Sequence, residues 1–225
     1  VTDMKAIQWL KKIAVFIPYL LLLINIIWAK FSDFLFSSLS LNDLLNLFIN
    51  TLPLTILVLI DLVKRKPSSL FQLLIQASFY VYLLAVWYIT LSRESVQFVF
   101  TNPFWMHHIN LIPFVIFRDF SLFNEQIIGN VIMLMPLGMY IHLLFKPLAS
   151  PLRAFVTIFL VSFSIELLQL LFSVGSSDID DLILNTSGGY LAYLIFGVLI
   201  FLYKKSPIKF NQQKRTSVKR STYKF

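Results

Sequence analysis

The chain has 225 residues, 58% of them apolar and 13% charged, with a mean hydropathy of +0.78, a balance that excludes a water-soluble domain of this length. Its formal net charge of +8 does not mark a nucleic-acid binder, because the basic residues border apolar runs instead of forming a patch on a soluble module. The absence of cysteine excludes disulfides and thiolate metal sites.

Taken in chain order, hydropathy and length place membrane spans at 13–29, 43–63, 70–91, 126–145, 154–173 and 182–203. The expected fold class is therefore all-α: a polytopic transmembrane helix bundle of about six spans, with an interfacial or re-entrant outer loop. The first apolar run follows Lys5, Lys11 and Lys12, but no small-residue cleavage site comes after it, so it reads as a retained span. Three units follow from this layout: spans one to three in 1–91, the outer loop and last three spans in 92–203, and a basic, disordered tail in 204–225. Lys64, Arg65, Lys66, Lys146, Arg153 and the lysines and arginines of the tail join the first three lysines on one side, leaving only Lys30, Arg93 and Arg118 on the other. The positive-inside rule then puts both termini in the cytoplasm. Asp33, Asp43, Glu94, Asp119, Glu125, Asp178, Asp180 and Asp181 fall outside.

The long connection from Ser92 to Glu125 carries Phe98, Phe100, Phe104, Trp105, Phe114 and Phe117. Pro103 and Pro113 interrupt any helix crossing there, so 104–117 is expected to be interfacial or re-entrant, with the Met106–Leu111 centre able to dip between helices.

In the fourth span, Pro136 removes a backbone hydrogen bond in mid-membrane and predicts a kink, while Asn130 opens the span near its outer face. In the fifth, Glu166 lies about 9 Å below the outer end of an apolar run, where an ionised carboxylate costs a few kcal/mol. Gln169 shares its face at i+3. A polar pocket between the last two spans follows, or else Glu166 is structural glue bonded to Gln169 or Asn185.

Before the last span, Ser177-Asp178-Ile179-Asp180-Asp181 sets three carboxylates at the mouth of an apolar run. Helical spacing aligns Asp178, Asp181 and Asn185 on one face, and Asp178 or Asp180 can instead cap the helix. Gly188-Gly189 marks a close helix approach. Arg93 either snorkels to headgroups or pairs with the acids or a substrate phosphate. His107 and His108 are adjacent, which points their rings apart, so no metal is expected. No cofactor is expected either, since the chain has no phosphate loop, dinucleotide fingerprint or nucleophile elbow.

Four ordered blocks, Asn110-Leu111-Ile112-Pro113-Phe114, the stretch from Gly129 to Gly138, Ser164 to Gln169, and Asp178 to Gly189, resemble the VanZ-like membrane proteins. The resemblance implies reduced susceptibility to teicoplanin and related lipid-bearing glycopeptides, by an unsettled mechanism. That family often carries an Arg shortly before the aspartates. Here Val174-Gly175-Ser176-Ser177 stands instead, so an outer cation would have to come from Arg93 or Arg118.

The expected ligand-binding set is Arg93, Asn110, Asn130, Glu166, Gln169, Asp178, Asp180, Asp181 and Asn185. The expected partner is a membrane lipid, a lipid-linked wall precursor or the lipoglycopeptide itself. Alternatively the chain is an intramembrane enzyme on a lipid-linked substrate, with Glu166, Asp180 and Asp181 as catalytic candidates, or a small transporter with Glu166 as its proton site.

Overall fold

The computed structural model describes residues 2–36, 41–65, 69–91, 109–116, 124–174 and 176–205, with side chains described over 6–32 in the first helix and from 51 onward in the second. The helices are α1 (Thr2–Phe36), α2 (Leu41–Lys64), α3 (Leu70–Leu91), α4 (Glu125–Met133), α5 (Met135–Leu144), α6 (Pro151–Phe172) and α7 (Ile179–Lys205), with a 3₁₀ turn at Lys146–Leu148. Two short strands, β1 (Ile109–Asn110) and β2 (Ser177–Asp178), pair in parallel, Ile109 opposite Ser177 and Asn110 opposite Asp178.

Among the described residues five segments are long and apolar enough to cross a membrane: Ala6–Ser32 of α1, α3, α4 and α5 taken together, α6, and α7. The remaining expected span corresponds to α2, whose first ten side chains fall outside the described residues. The architecture is the expected all-helical membrane bundle. Arg93, His107, His108, Phe117, Arg118 and the tail from residue 206 lie outside the described residues.

One boundary changes the reading of the site. α7 starts at Ile179, not 182, so Asp180 and Asp181 occupy its first turn, where the helix dipole favours carboxylates. Asp178 precedes the helix, in β2, and the single helical face expected for Asp178, Asp181 and Asn185 is corrected accordingly.

The kink at Pro136 takes the form of a break. α4 stops at Met133, the Leu134 N–H bonds the Ile132 carbonyl instead of continuing the α ladder, and α5 begins with Pro136 in its first turn and no side-chain cap. A proline in the first turn of a helix costs little because its missing N–H would have no intrahelical partner there.

α7 is the central helix, packing against α4, α5 and α6, while α1 lies on α3 and α2, and α3 reaches α5 and α6. Lipid removes the hydrophobic drive between helices, so contact depends on close fit. A Cβ on Gly188 would sit 1.9 Å from the Val131 carbonyl oxygen, and one on Gly138 would sit 2.2 Å from that of Gly189. Gly188 is a packing residue, as expected for the Gly188-Gly189 pair, and Gly138 is one as well. At one end of the bundle His142 stacks on Tyr193 with centroids 4.4 Å apart. Arg65 there bonds Asp61 at 2.7 Å and the Leu144 carbonyl at 2.8 Å, while the Tyr80 hydroxyl donates to Asp61 and Gln76 donates to Tyr80. This cluster ties α2 and α3 to the end of α5.

Gly138→Ala should destabilise the protein by about 2 kcal/mol or more, since backbone on α7 blocks the added methyl. Gly129→Ala, where nothing lies within 4 Å, should be neutral or stabilise by up to about 1 kcal/mol. Thermal unfolding of the purified pair in detergent checks both.

Candidate functional site

At the other end of the bundle the polar residues converge on the start of α7. Asp180 is 1% exposed, and its two carboxylate oxygens accept the backbone N–H groups of Phe114 at 2.5 Å and Ile116 at 2.9 Å. Burying a carboxylate costs several kcal/mol unless donors replace water, and these two amides do so. Phe114 holds φ at 66°, a conformation unfavourable for a bulky residue, in the turn that follows Pro113. The loop is thus latched to the helix. Ile116 then buries against Ile127 and Leu184, whereas Leu111, Ile112 and Phe114 remain exposed.

Asp178 ties three elements together. Its carboxylate accepts the Asn110 side-chain amide at 3.0 Å and the Asp180 N–H at 2.8 Å, the second bond being that of a helix N-cap. Its own N–H donates to Glu166 on α6 at 2.9 Å. Glu166 therefore meets β2 and not Gln169 or Asn185, as the structural-glue alternative expected. Gln169 turns to α3, donating to the Thr90 carbonyl at 3.3 Å.

Asp181 is half-buried and bonds the Asn130 side-chain amide, which spans α4 and α7. Asn185, one turn deeper, is 1% exposed, and neither end of its carboxamide has a hydrogen-bond partner. Ser162, fully buried on α6, donates to the Leu182 carbonyl at 3.4 Å.

Asn110, Glu166, Asp178 and Asp180 are therefore joined in one hydrogen-bonded cluster, with the Asp181–Asn130 pair beside it at the first turn of α7. Gln169 lies at its edge, Asn185 beneath it, and Arg93 outside the described residues. Among the described residues no Lys or Arg pairs with these carboxylates, and no group of three His, Asp or Glu side chains converges as metal ligands would. The helices also border an apolar cavity of about 210 Å³, lined by residues such as Leu83 and Val86 of α3, Leu134 at the α4–α5 junction, Leu137 of α5 and Val161 of α6. Sequence reasoning missed Ser162 and the Asp61–Arg65–Tyr80–Gln76 cluster. Arg65 four residues after Asp61 was the available signal for the latter.

The structure defines a helical membrane bundle with an acidic cluster bonded to a loop at one end. The chain belongs to the VanZ/LLP1 family, which its residues 79–202 match, more than half of its length. It is similar to Protein VanZ of Enterococcus faecium, at 28% identity over 118 residues that cover 52% of this chain and 70% of that protein. No solved structure matches it.

Asp180→Asn replaces one acceptor oxygen with a donor and should leave the Phe114 or Ile116 N–H unbonded. Hydrogen exchange at these amides should quicken more than tenfold, since a bond to a charged group contributes about 1.5–3 kcal/mol, while exchange in α6 stays slow.

Proposed function

We propose that this protein reduces susceptibility to teicoplanin-type lipoglycopeptides through the acidic cluster at the loop-bearing end of the bundle, facing the outer side of the cell membrane with both termini in the cytoplasm. The carrying observation is the grouping of Glu166, Asp178, Asp180 and Asp181 around the start of α7, the first three joined by hydrogen bonds and the last bonded to Asn130, in a chain that is only 13% charged. The roles divide. Asp180 has both oxygens engaged with the loop and acts as its latch, whereas Asp181, half-buried and bonded to Asn130, is open to a ligand. Exposed Leu111, Ile112 and Phe114 would seat the loop among lipid headgroups, where a membrane lipid, a lipid-linked wall precursor or the antibiotic's lipid arm is met. The 1–91 and 204–225 segments would serve as an accessory helix unit and a basic anchor to the inner leaflet.

One observation favours a second reading, an intramembrane enzyme or transporter for a lipid-linked envelope substrate: the apolar cavity between α3, α5 and α6 suits a hydrocarbon tail. In that reading Glu166 and Asp181 would handle a proton, with Asp180 holding the loop that covers them.

The test is susceptibility of a Gram-positive host expressing wild type, Asp181→Asn or Glu166→Gln at matched membrane abundance, with vancomycin as control. Selective, several-fold protection against teicoplanin that Asp181→Asn weakens is the expected outcome. Equal protection by all three chains would remove the carboxylates from the mechanism. Orientation is checked separately: alkaline phosphatase fused after Lys205 should be inactive, and fused within 92–108 active.

A further inference from the structure

Asn185 is a fully buried carboxamide whose amide nitrogen and carbonyl oxygen both lack a hydrogen-bond partner, and the neighbouring Thr186 hydroxyl is also without one. Leaving such groups unpaired inside a membrane costs several kcal/mol, so a native chain keeps them where something else supplies the bonds. Successive helix positions advance by about 100°, which sets Asn185 between the directions of Gly188 and Gly189. Gly188 faces the Val131 carbonyl, and Gly189 faces Leu134 and Ile158. Asn185 thus lies on the face of α7 turned toward α4, one turn nearer the loop than the Gly188 and Gly189 contacts with Val131 and Leu134. The Asp181–Asn130 pair lies one turn nearer the loop.

We propose that Asn185 is the floor of a ligand subsite between α7 and α4, where its carboxamide takes a neutral hydrogen-bonding group, an amide or a hydroxyl, that enters past the Asp181–Asn130 pair. The proposal deepens the acidic-cluster reading given above and rests on it for the route of entry. Neutrality follows from the surroundings: Asp181 stands one turn away, and no described Lys or Arg pairs with it, so an anion would be repelled. A neutral group satisfies both ends of the carboxamide at once, donating to its oxygen and accepting from its nitrogen. Such a group can come from a lipid headgroup or from the antibiotic.

The chain has no cysteine, so a single introduced thiol reports directly. Asn185→Cys and the control Ala192→Cys, two turns deeper on the same face, are placed in phosphatidylcholine nanodiscs and treated with a charged methanethiosulfonate reagent, which reaches both faces of the disc. The expected result is labelling at 185 and not at 192, and no labelling at 185 overturns the proposal. The occupant is read on the intact carboxamide: an added neutral, hydroxyl-bearing glucosyl-diacylglycerol if the headgroup is the source, or teicoplanin if the antibiotic is, should raise the Tm of wild type and not that of Asn185→Leu, and a shift equal in both chains or absent from both overturns the proposal. Asn185→Leu gives an independent measurement: with the unpaired carboxamide gone, Tm should rise by about 3 °C or more, and a fall would mean a structural partner and overturn it. If wild type gives no teicoplanin protection yet the glucosyl-diacylglycerol raises its Tm and not that of Asn185→Leu, the resistance reading fails and the subsite stands.

Discussion

The loop-bearing end of this protein is organised by one buried carboxylate. Asp180 is removed from water at the start of a membrane helix and needs donors, while the backbone N–H groups of Phe114 and Ile116 lie in an irregular segment with no ladder to bond. Each satisfies the other. Once that exchange fixes the loop, β1 lies beside β2, Asn110 meets Asp178, and Asp178 is placed both to cap α7 and to donate its N–H to Glu166. Asp181 is then left to Asn130 at the junction with α4. The carboxylates are therefore not equivalent: one is consumed by architecture, one is shared between a cap and a strand, and the others face the helix interfaces.

α7 meets three different demands along its length. Its first turn handles charge, its second carries the unpaired carboxamide, and its third presents glycines so closely to α4 and α5 that a single methyl would strike backbone. Farther on, Tyr193 stacks on His142 and donates its hydroxyl to the Ala149 carbonyl at 2.6 Å, locking the far half of α7 to the connection between α5 and α6. The polar end is held by hydrogen bonds and the middle by proximity. A shift of α7 along its axis would break both, because the glycine contacts fix its height against Val131 and Leu134.

Much of the fold was readable from the residues themselves. Apolar runs of membrane-crossing length give the helices, and the 70–91 span coincides with α3. Pro136 announces its break because a missing N–H is a property of the residue, and Gly188-Gly189 announces close packing because a missing Cβ is one too. The carboxylate cluster was visible as composition, but its wiring was not. Asp180 is held by main-chain N–H groups, which every residue except proline possesses, so nothing in Phe114 or Ile116 advertises the partnership. Asp178 looked like a helical residue because the apolar run following it hides a two-residue strand. Gln169 was expected to face Glu166 from its spacing, yet a carbonyl on α3 competes for its amide. Local periodicity cannot register a partner from another helix.

The parallel pairing of β1 with β2 joins residues 68 positions apart, and the Asp180 bonds span 64 and 66. During synthesis the chain emerges in order, so the loop is made well before α7 exists. Until that last helix inserts, Phe114 and Ile116 have no carboxylate to bond, and Asn110 has no strand beside it. The cluster therefore cannot be completed until the start of α7 has been made and brought beside the loop and α6.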